Sequence, residues 1–106
     1  MAVATERSAR ADLRAVLRYY SNVPPPSEGQ RLVGLVLENY AEVMRGIQAV
    51  LAKRPEHPRI PGVRRVRLGR FPYFILYTVH GDDAAVVAVV HVRSDYPERV
   101  ARRLGR

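Results

Sequence analysis

The 106-residue sequence carries a formal net charge of +8, has a pI near 10.8 and contains no cysteine. A chain of this length builds one hydrophobic core, so we expect a single domain over residues 1–106. Without cysteine no disulfide can form, and no apolar stretch approaches the roughly 20 residues that span a bilayer. With no hydrophobic signal core at the N-terminus and only scattered histidines, we expect a cytoplasmic protein without metal, cofactor or membrane contact.

The first predicted element is a helix that ends near residue 22. Ser8 precedes a run of apolar residues at helical spacing, so we expect Ser8 to cap this helix. Asp12 is then expected in the first turn, where a carboxylate suits the positive end of the helix dipole. The apolar residues of this helix are Ala9, Leu13, Val16, Leu17 and Tyr20.

A second, longer helix is predicted from the segment Ser27-Glu28-Gly29-Gln30, which reads as a capping box, to about Arg54. Prolines end it and impose an extended loop over residues 55–61. Because only a short proline turn separates the two helices, they are expected to form an antiparallel hairpin. The apolar stripe of the second helix comprises Leu32, Val36, Tyr40, Val43, Ile47, Val50 and Leu51.

After Gly62 the apolar period changes to two, which predicts strands. Residues 63–68 form the first of these, a basic strand with Arg65 and Arg67 on one face. Gly69-Arg70 then forms a turn.

The next predicted strands are residues 71–80 and 84–93, joined by a hairpin turn at residues 81–83. The second of them is apolar on both faces, which predicts a central strand buried on both sides. Residues 97–104 are expected to form a short basic helix that starts at a proline. Residues 2–6 are a candidate for an additional edge strand. The fold class is therefore α+β: an N-terminal helical hairpin packed on a small antiparallel sheet of three to four strands, with a short C-terminal helix.

The positive charge is concentrated in two segments. Residues 54–70 hold six arginines and one acidic residue, and residues 93–106 hold five arginines and two acidic residues. Such a surface suits an acidic partner, either a nucleic acid or an acidic protein segment. The alternative is a solubility role combined with arginine-rich codon usage, since Lys53 is the only lysine.

Six short segments occur in a characteristic order along the chain. They are Tyr19-Tyr20, Gly62-Val63-Arg64, Gly69 to Tyr77 (GRFPYFILY), Gly81-Asp82-Asp83, His91-Val92-Arg93 and Pro97-Glu98-Arg99. In this order they resemble the ParE branch of the RelE/ParE toxin superfamily over about residues 5–104. The sequence departs from that pattern in its short candidate first strand, its triple-proline turn, and Ser94, where many relatives carry a second arginine.

The resemblance implies a RelE/ParE-like fold and a toxin of a type II toxin–antitoxin system, of the kind linked to plasmid stabilisation. It implies a cognate acidic, DNA-binding, ParD-like antitoxin that lays a helix and an extended segment over the toxin in a hetero-oligomer. For ParE-type members the implied target is DNA gyrase, inhibited by binding. For RelE-type members it is messenger RNA, cut on the ribosome.

The residues distinguish these two activities in part. Cleavage of RNA without a metal needs a base, a cation for the developing phosphorane charge and a donor for the leaving oxygen. By the resemblance, Phe74 and Arg99 stand where the nuclease branch has an arginine and a tyrosine, so that set is interrupted. His91 could replace the missing base, and Tyr96 lies near the tyrosine position.

We therefore expect a binding toxin without a catalytic site. The alternative is a ribosome-dependent endoribonuclease that uses His91, Arg93, Arg65 and Arg67, and a third possibility is a non-toxic relative. Arginines that cluster on one sheet repel each other unless an anion arrives, which favours contact with the acidic antitoxin. The predicted partner-binding residues are Arg64, Arg65, Arg67, Arg70 and Arg93.

Structural roles are the alternative for individual residues. Arg64 could form a buried ion pair with Glu38 or Glu42. His91 is expected to be structural, and His57 and His80 to be solvated. Tyr73 and Tyr77 share a strand face with Ile75 and Val79, which favours core packing over base stacking, and Arg102 and Arg103 are expected on a solvated helix face.

Overall fold

The computed structural model describes residues 2–49 and 53–105, within which the chain forms three α-helices and four β-strands. The order is β1 (Val3–Thr5), α1 (Arg7–Ser21), α2 (Pro26–Ala49), β2 (Arg64–Arg67), β3 (Tyr73–His80), β4 (Asp83–His91) and α3 (Pro97–Arg103). This architecture confirms the predicted α+β class, with a helical hairpin first and a short helix last.

The sheet has the strand order β1-β4-β3-β2. β2, β3 and β4 form the predicted antiparallel meander. Val3–Thr5 confirms the candidate edge strand, but it pairs parallel with Ala84–Val86, so the sheet is mixed and not wholly antiparallel. Parallel neighbours require a crossover connection, and here the helical hairpin lies in the connection that follows β1.

Both faces of the sheet are covered, which explains why β4 is apolar throughout. One core lies between the sheet and the α1–α2 hairpin and includes Ile75, Tyr77, Val86 and Val89. The second lies on the opposite face and includes Ile60 of the proline loop together with residues of β3, β4 and α3. Residues 84–90 are accordingly almost all buried, as predicted for a central strand. Tyr73 and Val79 pack against the first core, so the predicted packing role of this strand face is confirmed.

A β-bulge interrupts the β3–β4 ladder. Leu76 is opposite Ala88 and Tyr77 is opposite Val86, which leaves Val87 as the extra residue. Beyond Val86, the short β1 no longer covers this edge of β4, because the β1 ladder ends at the pair of Thr5 with Val86.

Side chains from α1 and α3 form hydrogen bonds with the backbone groups at this exposed edge. The N–H of Val89 donates to Asp12 Oδ2 (3.0 Å), and Arg103 Nη1 donates to the same oxygen (2.9 Å). Arg103 Nη1 also donates to the carbonyl oxygen of Val87 (3.1 Å), which accepts a longer bond from the Ser8 hydroxyl (3.4 Å) as well.

These contacts correct two predictions from the sequence. α1 begins at Arg7 after Glu6, so Ser8 lies inside the helix and is not its cap. Asp12 lies beyond the first turn and pairs with β4 and α3, where its carboxylate meets an unpaired strand N–H. Arg103 is exposed on α3, as predicted, and its guanidinium also reaches this edge of the sheet.

The boundaries of α2 also differ from the prediction. The helix begins at Pro26, whose fixed φ suits the first helical position, so Ser27 lies within its first turn. The structure describes α2 to Ala49. The predicted stripe residues Val50 and Leu51 lie outside the described residues, and Arg54 is not helical.

The predicted strands 63–68, 71–80 and 84–93 are shortened at their ends. β2 is Arg64–Arg67, and β3 starts only at Tyr73, after a turn that includes Pro72. β4 ends at His91, so Arg93 lies in the following turn. Within residues 2–49 and 53–105, no helix is both long enough and apolar enough to cross a membrane.

The tip of the helical hairpin brings the two helix backbones into contact at Gly29. A β-carbon at this buried position would lie 2.5 Å from the carbonyl oxygen of Ser21 and 3.0 Å from that of Val23. In the same helix, a β-carbon at Gly34 would meet nothing within 4 Å. Only the first of these glycines is therefore required by packing.

Alanine substitutions at the two glycines should change stability in opposite directions. Gly34→Ala should stabilise the protein by about 0.5–1 kcal/mol, because glycine costs about that much in a helix interior. Gly29→Ala should destabilise it by about 1–3 kcal/mol, because a backbone carbonyl must move. Urea unfolding of both variants measures the two effects, and a stabilised Gly29→Ala variant would contradict the close approach.

Asp12→Ala should destabilise the protein by about 1–3 kcal/mol, because the Val89 N–H and the Arg103 guanidinium both lose an acceptor. The control is Glu28→Ala, which removes the exposed Glu28–Arg31 ion pair of α2. This variant should lose clearly less free energy of unfolding than Asp12→Ala. Thermal unfolding followed by circular dichroism compares the two. Equal losses would mean that the edge contact of Asp12 does not stabilise β4.

Candidate partner-binding site around Arg65

The arginines of β2 are divided between the two faces of the sheet. Val66 packs against the core beneath the helical hairpin, so Arg64 lies on that face and Arg65 and Arg67 lie on the other. Arg64 Nε donates to the carbonyl oxygen of Arg54 (2.6 Å) and does not form the ion pair with Glu38 or Glu42 offered as an alternative.

The other two predicted partner-binding residues lie in turns. Arg70 is exposed in the turn between β2 and β3, and Arg93 is exposed in the turn after β4. The five arginines therefore do not form one patch. The structure brings Arg65 and Arg67 together on one face, leaves Arg64 on the opposite face and places Arg70 and Arg93 in turns.

Four side chains converge beside β2 and are called here the Arg65 cluster: Arg65, His57, Phe74 and Tyr96. The guanidinium carbon of Arg65 lies 4.8 Å from the centroid of the Phe74 ring, in a cation–π contact. Arg65 Nη1 also donates to the Tyr96 hydroxyl oxygen (3.2 Å). These two contacts hold an otherwise exposed arginine in one orientation, so less entropy is lost when it binds an anion.

His57 is buried, with 6% of its surface exposed, and the prediction that it is solvated is wrong. Its Nδ1 accepts the backbone N–H of Arg59 (3.0 Å), so the proton of the neutral ring is on Nε2. Nε2 then donates to the Tyr96 hydroxyl oxygen (2.9 Å). The reason for the burial is the fold of the proline loop, in which the His57 N–H donates to the Val63 carbonyl (2.6 Å) and ties the loop to the start of β2.

Burial, assisted by the positive charges of Arg65 and Arg59, lowers the pKa of His57 below its ordinary value of 6.5. The ring is therefore neutral near pH 7, with both nitrogens engaged. The remaining members of the Arg65 cluster offer donors and an aromatic surface. A site of this kind holds an anion but has no free basic atom on His57 with which to abstract a proton.

Two adjoining depressions flank the Arg65 cluster, with volumes of about 190 and 280 Å³. His57, Pro58 and Arg65 line both of them. The smaller is completed by residues of the proline loop, including Arg54 and Glu56, and the larger by residues of that loop, β3 and the segment before α3. Within residues 2–49 and 53–105, no group of three His, Cys, Asp or Glu side chains is arranged to hold a metal ion.

His91 lies on the face of the sheet opposite the Arg65 cluster. Its ring contacts Tyr73 (centroids 5.3 Å apart), whereas the next residue of β3, Phe74, contacts Arg65. Consecutive strand residues point to opposite faces, so His91 and Arg65 are separated by the sheet. The set His91, Arg93, Arg65 and Arg67 is therefore not brought together.

His91 and Arg93 do not lie on one strand, because β4 ends at His91 and not at residue 93 as predicted. His91 Nδ1 accepts the backbone N–H of Arg93 (3.1 Å), and the Ser94 hydroxyl donates to the carbonyl oxygen of His91 (2.7 Å). Both bonds stabilise the turn that leads to α3, which is a structural role for the histidine.

Sequence reasoning did not find the Arg65 cluster. Tyr96 is 39 positions from His57 and 31 positions from Arg65, and no local spacing relates residues so far apart. The one available signal was the position of His57 between two prolines in a segment rich in arginine, which indicates an ordered loop next to a charged strand.

Comparison with known proteins gives a family match, similar solved structures and one negative result. A family model described as "ParE toxin of type II toxin-antitoxin system, parDE" matches residues 3–96. Among solved structures, a chain described as "Chromosomal ParDE TA system from P. aeruginosa" superposes with a TM-score of 0.70 at 26% identity, covering 88% of this chain and 97% of that one. No curated protein matches the sequence significantly.

The lowered pKa of His57 predicts a pH dependence of stability. Because the folded state resists protonation, the unfolded state binds more protons once the pH falls below about 6.5, and stability is lost in that range. The slope of unfolding free energy between about pH 7.5 and pH 5 should decrease in His57→Gln. The control His80→Gln removes an exposed imidazole from the β3–β4 hairpin. The difference in slope between the two variants therefore measures the contribution of the buried His57 ring. An equal slope in both would contradict a perturbed His57.

Proposed function

The chain belongs to the ParE toxin family of type II toxin–antitoxin systems, and from this premise we propose that it binds and inhibits DNA gyrase and is neutralised by a cognate antitoxin. The family match over residues 3–96 carries the proposal, since it spans the described fold from β1 to the Arg65 cluster. Gyrase is an intracellular enzyme, so the proposed location is the cytoplasm.

Binding, and not catalysis, is supported by the chemistry of the Arg65 cluster. Both nitrogens of His57 are engaged, and a guanidinium stays protonated and cannot act as a base. His91, the candidate base of the nuclease alternative, lies across the sheet from Arg65. We therefore propose that the protein has no catalytic site. The experiment that tests this proposal must exclude RelE-like cleavage of messenger RNA.

The proposed antitoxin is acidic and ParD-like, and it forms a hetero-oligomer with the toxin. Support comes from the similar P. aeruginosa chain, which is described as a chromosomal ParDE TA system. The proposed contacts are carboxylate–guanidinium pairs. They can be bidentate at the exposed Arg67, Arg70 and Arg93, whereas Arg65 already donates Nη1 to Tyr96. The residues proposed to contact the antitoxin are Arg64, Arg65, Arg67, Arg70 and Arg93.

Expression from a tightly repressed promoter tests the proposed activity. Gyrase inhibition should give filamentous cells and induction of a DNA-damage reporter, because stalled gyrase leaves broken DNA. Rapid arrest of translation with cleaved messages would replace the proposal with the nuclease. Soluble protein with no effect on growth would identify a non-toxic relative.

His91→Ala separates the two activities within the same assay. The variant should remain toxic, because the ring stabilises a turn and lies away from the Arg65 cluster. The melting temperature must be measured alongside, since loss of the turn bonds lowers stability. Abolished toxicity at an unchanged melting temperature would show that His91 acts in the reaction.

A further inference from the structure

The hydroxyl group of Tyr96 is buried between two hydrogen-bond donors. Tyr96 is 4% exposed, and its oxygen lies 2.9 Å from His57 Nε2 and 3.2 Å from Arg65 Nη1. A guanidinium carries only donors, and His57 Nδ1 already accepts the Arg59 N–H, which places the ring proton on Nε2. Both neighbours therefore donate to the phenol oxygen, and the hydroxyl proton takes part in neither bond.

The hydroxyl proton of Tyr96 needs an acceptor that the described chain does not supply. Within residues 2–49 and 53–105, Tyr96 makes no hydrogen bond besides the two that its oxygen accepts. The Nε and Nη2 donors of Arg65 also lack an acceptor in this part of the chain. A buried donor without an acceptor is costly, so an acceptor group with several oxygens would satisfy both side chains at once.

These unused donors lie where the two depressions beside the Arg65 cluster meet. Arg65 and His57, the two partners of the hydroxyl, line both depressions, and Tyr96 lines the larger one. Together the depressions reach the lower part of the range of about 300–1,000 Å³ that small-molecule sites occupy. A small ligand can therefore place an acceptor group at this junction and its other atoms in the larger depression.

The charges around the junction favour a small anion. Arg54 lines the smaller depression, Arg59 lines the larger, and Arg65 lines both. One carboxylate also lines each depression, Glu56 the smaller and Asp95 the larger. A single phosphate beside Arg65 is attracted by the guanidinium groups, whereas a polyanion that filled both depressions would also be repelled by both carboxylates.

The larger depression suits a planar ring that carries N–H groups. Pro58, Phe74 and Val92 line it with apolar atoms. Asp95 is exposed beside them, and its side chain has no hydrogen bond or ion pair within the described ranges 2–49 and 53–105. A carboxylate only accepts. Guanine presents two N–H donors side by side, at N1 and N2, whereas adenine and cytosine have an acceptor nitrogen next to their amino group.

We propose that the Arg65 cluster binds a free guanosine monophosphate. Its phosphate accepts hydrogen bonds from the Tyr96 hydroxyl and from Arg65, and its base lies in the larger depression with its N–H groups on Asp95. A terminal phosphate offers three oxygens to the donors at the junction, whereas a phosphodiester within a strand offers two, so a free nucleotide fits better than a nucleic acid. This ligand site is independent of the proposed inhibition of gyrase.

Nuclear magnetic resonance on the full ¹⁵N-labelled chain, titrated with guanosine 5′-monophosphate, tests the site. Binding should shift the Nε–H signal of Arg65 and the amide signals of residues that line the two depressions, and it should saturate at or below millimolar nucleotide. Guanosine without phosphate and adenosine 5′-monophosphate should each bind about tenfold or more weakly, because each lacks hydrogen bonds to a charged side chain.

Substitutions identify the contributing side chains. Arg65→Gln and Tyr96→Phe should each weaken binding of guanosine 5′-monophosphate by about tenfold or more, since each removes a donor to the phosphate. The control is Arg14→Gln, which changes the net charge equally at an exposed position on α1, across the sheet, and should have little effect. If Tyr96→Phe fails to fold, the exposed Asp95→Asn still tests the site, because it should reduce the preference for guanine over adenine.

Four results would overturn the inference. Absence of binding at millimolar nucleotide would remove the site. Equal weakening by Arg14→Gln would reduce binding to general charge attraction. Equal affinity for guanosine, or for adenosine 5′-monophosphate, would show that the phosphate or the base is not recognised. Tighter binding of a short guanine-containing oligonucleotide without terminal phosphates would assign the same residues to a nucleic-acid strand.

Discussion

Burial of β4 on both faces is the constraint on which the rest of the structure depends. Its valines at positions 86, 87, 89 and 90 are each at most 6% exposed, and burying such a side chain contributes about 1.5–3 kcal/mol. An exposed ion pair contributes far less. The strand must therefore be covered on both sides, by the helical hairpin on one and by α3 with the proline loop on the other.

A strand at the centre of the core still has polar backbone groups, and some of those of β4 lie beyond the end of β1. β1 covers β4 only as far as Val86, so the Val87 carbonyl and the Val89 N–H need other partners. Asp12 from α1 and Arg103 from α3 supply them. One ion pair thereby joins the two covering layers at the edge of the sheet, where an unpaired donor would be costly.

The second layer also creates the candidate site. Because α3 and the proline loop must pack on the same face, Tyr96 and His57 meet there and bind to each other. Arg65 then rests on Phe74 and bonds to Tyr96. The cation is therefore held in place by the same packing that buries β4.

The sequence by itself determined the two helices, the order of the last three strands, the central position of β4 and the family, because apolar periodicity and short segments encode local structure. Tertiary structure alone decided the parallel pairing of β1 and the roles of Ser8, Asp12 and Arg103. It also decided the contacts of Tyr96 with His57 and Arg65. These residues meet across separations as large as the 91 positions between Asp12 and Arg103. Chain spacing carries no signal at such distances, since only the packing of the layers on β4 brings the side chains together.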